Sequence, residues 1–137
     1  MVHQRLADIL ADSATLELAT QGSAPWIAAA FFAEDGAFVL DVMLEARGRT
    51  LANLRTQPAV AVMLQQGDPM APFAQGEGRA EVVDGAEDQF RAHITTKTPA
   101  SAPLMGLPGL VPVRIRIDRW QITDVPAGWL PARELRA

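Results

Sequence analysis

The segment Arg47-Gly48-Arg49-Thr50-Leu51-Ala52-Asn53 gathers two guanidiniums, a hydroxyl and a carboxamide, all side chains that donate hydrogen bonds to oxyanions. Leu51 and Leu54 give the stretch from Thr50 to Gln57 the spacing of a short amphipathic helix, with Thr50 as its expected cap and Pro58 as its stop. The first N–H groups of a helix have no intrahelical acceptor and carry partial positive charge. Two arginines at such a place are either solvated side chains or the walls of an anion site. Cations oppose the helix dipole there unless an anion compensates, so the spacing predicts a phosphate site.

No other cluster competes with it. The 137 residues contain no cysteine, which excludes disulfides, thiolate metal sites and cysteine nucleophiles. His3 and His93 are far apart and cannot form a multi-histidine site, so no metal ligands are assigned. Neither reads as a general base: His3 is near the N-terminus, and His93 lies beside the apolar stripe of a helix. There is no glycine-rich dinucleotide loop and no Walker loop, and Ser13, Ser23 and Ser101 lack the surroundings of a nucleophile. No side chain is therefore assigned a catalytic role.

Hydrophobic content of 49% with 20% charge excludes global disorder, and a net charge of −4 argues against general nucleic-acid binding. No stretch is apolar for long enough to span a bilayer, and the first ten residues do not read as a secretory leader. The expectation is a cytoplasmic protein with one domain over residues 1–137, of a size that gains from dimerisation.

The elements that must position the anion segment follow from apolar spacing. Val2, Leu6, Ile9 and Leu10 mark a packing helix that Asp12-Ser13 ends, and Leu16 and Leu18 alternate with polar residues in a strand with one wet face. From Trp26 to Ala33 both parities are apolar, so this strand needs cover on both faces from core, cofactor or a partner chain. The Glu34-Asp35-Gly36 turn joins it to a strand from Ala37 to Leu44, interrupted by Asp41. Further strands are expected at Ala59 to Gln65, Gln75 to Val83 and Val113 to Ile122, the last with a bulge near Asp118-Arg119 where the apolar parity switches.

Gly76 and Gly78 share a strand face and predict close approach of a backbone or ligand. Asp84-Gly85-Ala86-Glu87 has the form of a capping box before a helix striped by Ala86, Phe90 and Ile94, with Glu87 and Arg91 spaced to pair. Thr98 to Pro112 predicts a surface loop. Arg114 and Arg116 share a strand face, either solvated, paired with Glu77 and Glu81, or directed to a partner's cofactor. About six strands, two or three helices and no βαβ alternation imply an antiparallel barrel.

Pro25 to Phe32, the Glu34-Asp35-Gly36 turn, Asn53-Leu54-Arg55-Thr56-Gln57-Pro58, Val60-Ala61-Val62-Met63-Leu64 and Gly78-Arg79-Ala80-Glu81-Val82-Val83 resemble, in order and spacing, the pyridoxamine 5'-phosphate oxidase-like FMN-binding split-barrel family. The resemblance covers most of the chain. It implies a mainly β fold, a six-stranded antiparallel split β-barrel of Greek-key type with two or three short helices. It also implies a homodimer holding flavin mononucleotide (FMN) at each end of its interface.

Under this resemblance Arg49 binds the cofactor phosphate, with Arg47 and Asn53 close enough to assist. Thr50 falls where many members have lysine; the charge is absent, but a hydroxyl still donates. Ile27, Ala28, Ala29 and Ala30 match the strand whose backbone borders the flavin ring, and Met43 and Leu44 match the end of the next strand. Members often carry hydroxyls there, so in this chain the flavin's polar edge would depend on backbone N–H and C=O groups. Trp129 and Arg133 are similar to the C-terminal tryptophan and arginine that reach the partner's site in the pyridoxamine phosphate oxidases. The plainer reading of Trp129 is a hydrophobe capping the barrel, and Trp120 reads as core or interface.

The rest of the substrate pattern of those oxidases is missing, so vitamin B6 oxidation is not implied. What is implied is a flavin-dependent oxidoreductase acting on a small organic substrate, with the chemistry carried by the cofactor. The alternatives are a deazaflavin coenzyme in a basic groove beyond Arg47 and Arg49, haem, or a dimeric binding or sensor module with a weak flavin site. The haem alternative draws on the similarity of Arg91 to Pro99 to haem-utilisation members and is opposed by the shortage of histidine.

Overall fold

Apolar residues at strand spacing commit just under half of the chain to one antiparallel sheet. In the computed structural model, which describes residues 1–137, helix α1 (Val2–Asp12) precedes strands β1 (Thr15–Gln21), β2 (Pro25–Glu34) and β3 (Val39–Glu45). Helix α2 (Arg49–Thr56), strands β4 (Ala59–Leu64) and β5 (Phe73–Val82), and helix α3 (Glu87–Lys97) follow. A 3-10 turn (Pro99–Ser101), helix α4 (Ala102–Met105) and strands β6 (Leu110–Asp124) and β7 (Trp129–Arg136) complete the chain.

The strand order is β3-β2-β1-β4-β5-β6-β7, and pairing of β3 with β6 closes the first six into a barrel. The return of β4 beside β1 after the β1-β2-β3 meander is a Greek-key order. The expected strand count is exceeded by β7, which lies outside the barrel on the second half of β6. Its Trp129-Leu130-Pro131 start and charged continuation hide it from a pattern search. A fourth helix, α4, lies inside what reads as the 98–112 loop.

Leu16 and Leu18 of β1, Val113, Ile115, Ile117, Trp120 and Ile122 of β6, and Leu6 and Leu10 of α1 form one buried core. The parity switch in β6 has the expected cause. Glu77 pairs with Arg119 but Gly78 pairs with Ile117, so Asp118 is the extra residue of a bulge. Gly76 and Gly78 both face inward, Gly76 against the Trp120 ring and Gly78 against the Arg116 backbone.

Two expected caps are corrected. Thr50 does not cap α2: Gly48 is the N-cap residue and no side chain takes the free N–H groups. Asp84 does not cap α3, because Gly85 turns the chain at φ +84° and Ala86 becomes the N-cap residue. Arg91 does not pair with Glu87 but reaches the Leu107 carbonyl at 3.2 Å. Of the two β6 arginines, Arg116 pairs with Glu81 at 3.2 Å, one of the three readings, whereas Arg114 pairs with Asp41 at 3.0 Å and Glu77 is taken by Arg119.

Lys97 is the only lysine of the chain, and there is no tyrosine or cysteine. Its ammonium donates to the Leu10 carbonyl at 2.7 Å and to the Glu34 carboxylate, and lies 3.7 Å from the centroid of the Phe32 ring. Desolvation depresses its pKa, against the opposing pull of Glu34. The folded chain therefore releases this proton before the unfolded chain does. Stability should rise with pH across the window that ends at the ordinary lysine pKa of about 10.4. Urea titrations across that window test this: the rise should disappear in Lys97→Met, and an unchanged slope would show that another group causes it.

Candidate functional site

Strand β1 pairs along its whole length with residues 25–31 of β2, and β3 pairs with β6 as far as Glu45. Between them, β2 and β3 share only the pairs Phe32–Val42, Ala33–Asp41 and Glu34–Leu40. Beyond Phe32 the two strands diverge, and the barrel is split there. The N–H of Phe32 donates to Ala14 C=O at 3.4 Å. By antiparallel alternation the even residues of β2 then bond β1, and Ala29 turns its N–H and C=O toward the split, where no strand meets them.

The split opens into a cleft of about 480 Å³. Ala28, Ala29, Ala30 and Phe31 line one side, and Met43 and Leu44 the other. Arg47, Gly48 and Thr50 close one end, while Leu104, Met105, Leu107, Pro108 and Leu110 form an apolar wall. Of the residues expected at a cofactor site, the cleft brings together Ala28, Ala29, Ala30, Met43, Leu44, Arg47 and Thr50.

Its polar end is rich in donors. The Arg47 side chain is 92% exposed and its Nε donates to Glu45 Oε1 at 3.0 Å. The Arg47 backbone N–H, then its guanidinium, hold the Glu45 carboxyl below its usual range. Arg49 is not among the residues that line the cleft; it begins α2 between Gly48 and Thr50, forms no ion pair, and its guanidinium carbon lies 4.2 Å from the centroid of the Trp26 ring. The Trp26 indole N–H donates to Thr50 Oγ1 at 3.3 Å.

The remaining expected residues lie elsewhere. Asn53 is buried, donates to Thr20 Oγ1 at 3.1 Å and packs under Gly22, on the side of α2 that faces the β1–β2 hairpin. Ile27 is 63% exposed on the other face of β2, beside a surface concavity with Ala19, Ala61 and Met63. Trp129 is buried in the core; the Arg5 and Arg133 guanidiniums lie 5.3 and 4.7 Å from its ring centroid. Trp120 is buried and donates from Nε1 to Ala37 C=O at 2.7 Å.

Two parts of the site were not legible. Trp26 reads as one more apolar strand residue, although its parity, shared with Ala28 and Ala30, already directs it away from Ile27. The Leu104–Leu110 wall is concealed by prolines and glycines that read as loop. The wall is held by α3, whose Phe90 and Ile94 pack with Ala33, Met43 and Met105. Asp41 fastens α3 to the barrel: its buried carboxylate accepts from Arg114 Nε at 3.0 Å and meets His93 Nδ1 at 3.2 Å. This hydrogen bond holds the Arg114 pKa above the ordinary guanidinium value.

The architecture has known counterparts. A Listeria innocua protein named for pyridoxamine 5'-phosphate oxidase superimposes with a TM-score of 0.73 at 19% identity, over 90% of this chain and 99% of that one. General stress protein 26 from Bacillus anthracis gives 0.75 at 19% identity, over 99% and 98%. A haem-binding protein from Mycobacterium smegmatis gives 0.80 at 17% identity, with 99% of this chain spanning 58% of that one. The fold is the pyridoxamine 5'-phosphate oxidase-like split barrel. The sequence itself matches no family model and none of the curated proteins. No helix is long and apolar enough to cross a membrane.

Proposed function

We propose that the chain binds FMN in the β2–β3 split and acts, as a homodimer, as a flavin-dependent oxidoreductase on a small organic substrate. The observation that carries this reading is the union, in one cleft, of unpaired strand backbone with a donor-rich helix start. Ala29 offers an N–H and a C=O that no strand uses, which suits the polar edge of a flavin ring on strands that lack hydroxyls. The apolar side chains of Ala28, Ala30 and Leu44 suit its flat faces. Arg47, Arg49, Thr50 and the uncapped N–H groups of α2 suit its phosphate.

When bound, FMN supplies hydride or electron transfer. The chain's own part is to anchor the phosphate, border the ring with Ala29 backbone and exclude water with the Leu104–Leu110 wall. No side chain in the cleft is needed as acid or base.

The exposed outer face of β2, β1 and β4 favours a second copy as its cover. Ile27, Ala29, Ala19, Ala61 and Met63 form an apolar surface there, with Glu17, Glu77 and Arg119 at its rim. This would complete the two-sided cover that the Trp26–Ala33 strand requires. The similarity to the haem-binding protein from Mycobacterium smegmatis favours haem as a second reading. Against it, the cleft contains no histidine, and Met43 and Met105 are buried with Phe90 and Ile94.

Titration with FMN and with haem, read by absorption spectra, separates the readings. Bound oxidised flavin should absorb near about 450 nm, while a Soret band without flavin binding would favour haem. Arg49→Ala should weaken FMN binding by about 1.5 kcal/mol, roughly tenfold, the scale of one charge-assisted hydrogen bond. Unchanged affinity in that variant would remove Arg49 from the phosphate site.

A further inference from the structure

We infer that Trp26 is the positioning residue of the phosphate end of the cleft, setting both Arg49 and Thr50 as donors toward a phosphate monoester. The inference rests on the proposed FMN site and names a residue outside the expected set. Trp26 stands on β2 opposite Thr20 and is 38% exposed, whereas Trp120 and Trp129 are buried. One face of its indole carries the Arg49 guanidinium at 4.2 Å, and its edge N–H binds Thr50 Oγ1 at 3.3 Å. A single side chain from the strand thus holds two consecutive residues of the helix.

The chemistry of these contacts gives them a direction. A threonine hydroxyl can accept and donate, and would ordinarily serve an anion and a cation equally. Here its oxygen accepts from the indole, which leaves its O–H as the group offered to a ligand. Thr50 lines the cleft, so that donor is available at the anion end. The stacked guanidinium has no carboxylate competing for its five N–H donors, and stacking on an aromatic face leaves its edge free for bidentate oxygen binding. Arg47, by contrast, is engaged by Glu45 and is almost fully exposed. Trp26 therefore turns a neutral hydroxyl into a fixed donor and presents Arg49 beside it.

The test compares FMN with riboflavin, which has the same ring and no phosphate, on wild type, Trp26→Phe and Trp26→Leu. Wild type should prefer FMN. Trp26→Leu, which loses both the stacking face and the N–H, should lose about tenfold of that preference, and Trp26→Phe, which keeps a face, about threefold. Riboflavin affinity should change little in either variant. Quenching of the exposed indole on addition of inorganic phosphate to wild type should accompany the effect.

A purely structural role would weaken FMN and riboflavin equally, leaving the preference unchanged; that result overturns the inference while the FMN site stands. If wild type binds neither flavin, the site reading and this inference fail together. Circular dichroism of both variants identifies loss of fold, and Trp26→Phe, which retains an aromatic ring, keeps the comparison decisive if Trp26→Leu unfolds.

Discussion

Replacing Gly78 with alanine should destabilise the barrel by about 3 kcal/mol, the upper end of the usual cost of overpacking. A Cβ at this position would stand 2.0 Å from the Arg116 carbonyl oxygen, 2.8 Å from its carbon and 3.0 Å from Ile117 Cα. All three are backbone atoms of β6. None can swing aside, and they belong to the bulge at which β6 changes register against β5. Relief requires β5 and β6 to separate or the bulge to move, and either breaks ladder hydrogen bonds in the strand pair that closes onto the core.

Gly76→Ala provides the control. Its Cβ would meet the Trp120 ring at 2.9 Å and Val62 Cγ2 at 3.1 Å, both side chains. Because Trp120 is tied to Ala37 through its indole N–H, the ring yields only slightly, and a cost of about 1–2 kcal/mol is expected. Urea unfolding of the two variants decides the matter. Equal midpoints would show that β6 backbone adjusts as readily as a side chain. Since the bulge lies away from the split, folded Gly78→Ala protein should bind FMN normally.

The contrast between these glycines shows what a sequence can convey about such a fold. Shared parity announces a close approach at Gly76 and Gly78, but whether the neighbour is ring, backbone or ligand depends on register with a strand some forty residues later. The bulge at Asp118 was legible because a parity switch within one strand is local information. Arg47 and Thr50 were likewise legible, since a strand end followed by a helix start is a pattern of neighbours, whereas Ala28–Ala30, Met43 and Leu44 were reached only through the family resemblance. Asn53 was not: proximity to the arginines placed it with them, while in the fold it is buried and its amide donates to Thr20 Oγ1. Trp26 and the Leu104–Leu110 wall depend on contacts between elements far apart in the chain, which no local period encodes.

Asp41, legible only as a charge interrupting an apolar strand, supports the second large prediction. Its carboxylate is 3% exposed and joins three elements: its own strand β3, Arg114 of β6 and His93 of α3. Arg114 also lies 5.1 Å from the ring centroid of Phe90, so the same contact presses α3 onto the sheet. Asp41→Ala leaves this guanidinium against an aromatic ring with no carboxylate. Breaking a fully buried pair costs about 3–5 kcal/mol, but Arg114 and His93 are partly solvated and water can replace some of the loss, so about 2–3 kcal/mol is expected.

Asp41→Asn keeps an acceptor for Arg114 Nε and should cost about 1 kcal/mol, the loss of charge assistance alone. The effect should reach the cleft. From α3 the chain runs through the 3-10 turn to α4, whose Met105 packs on Met43 and Phe90 and whose neighbours Leu104 and Leu107 wall the site. Loosening α3 therefore loosens the wall, and folded Asp41→Ala protein should bind FMN more weakly although Asp41 touches no part of the cleft. Hydrogen exchange separates the causes: faster exchange confined to α3 and residues 99–110 fits an anchor. Destabilisation with those segments as protected as in wild type would mean that Asp41 supports only the β3–β6 pair, and that the wall stands without it.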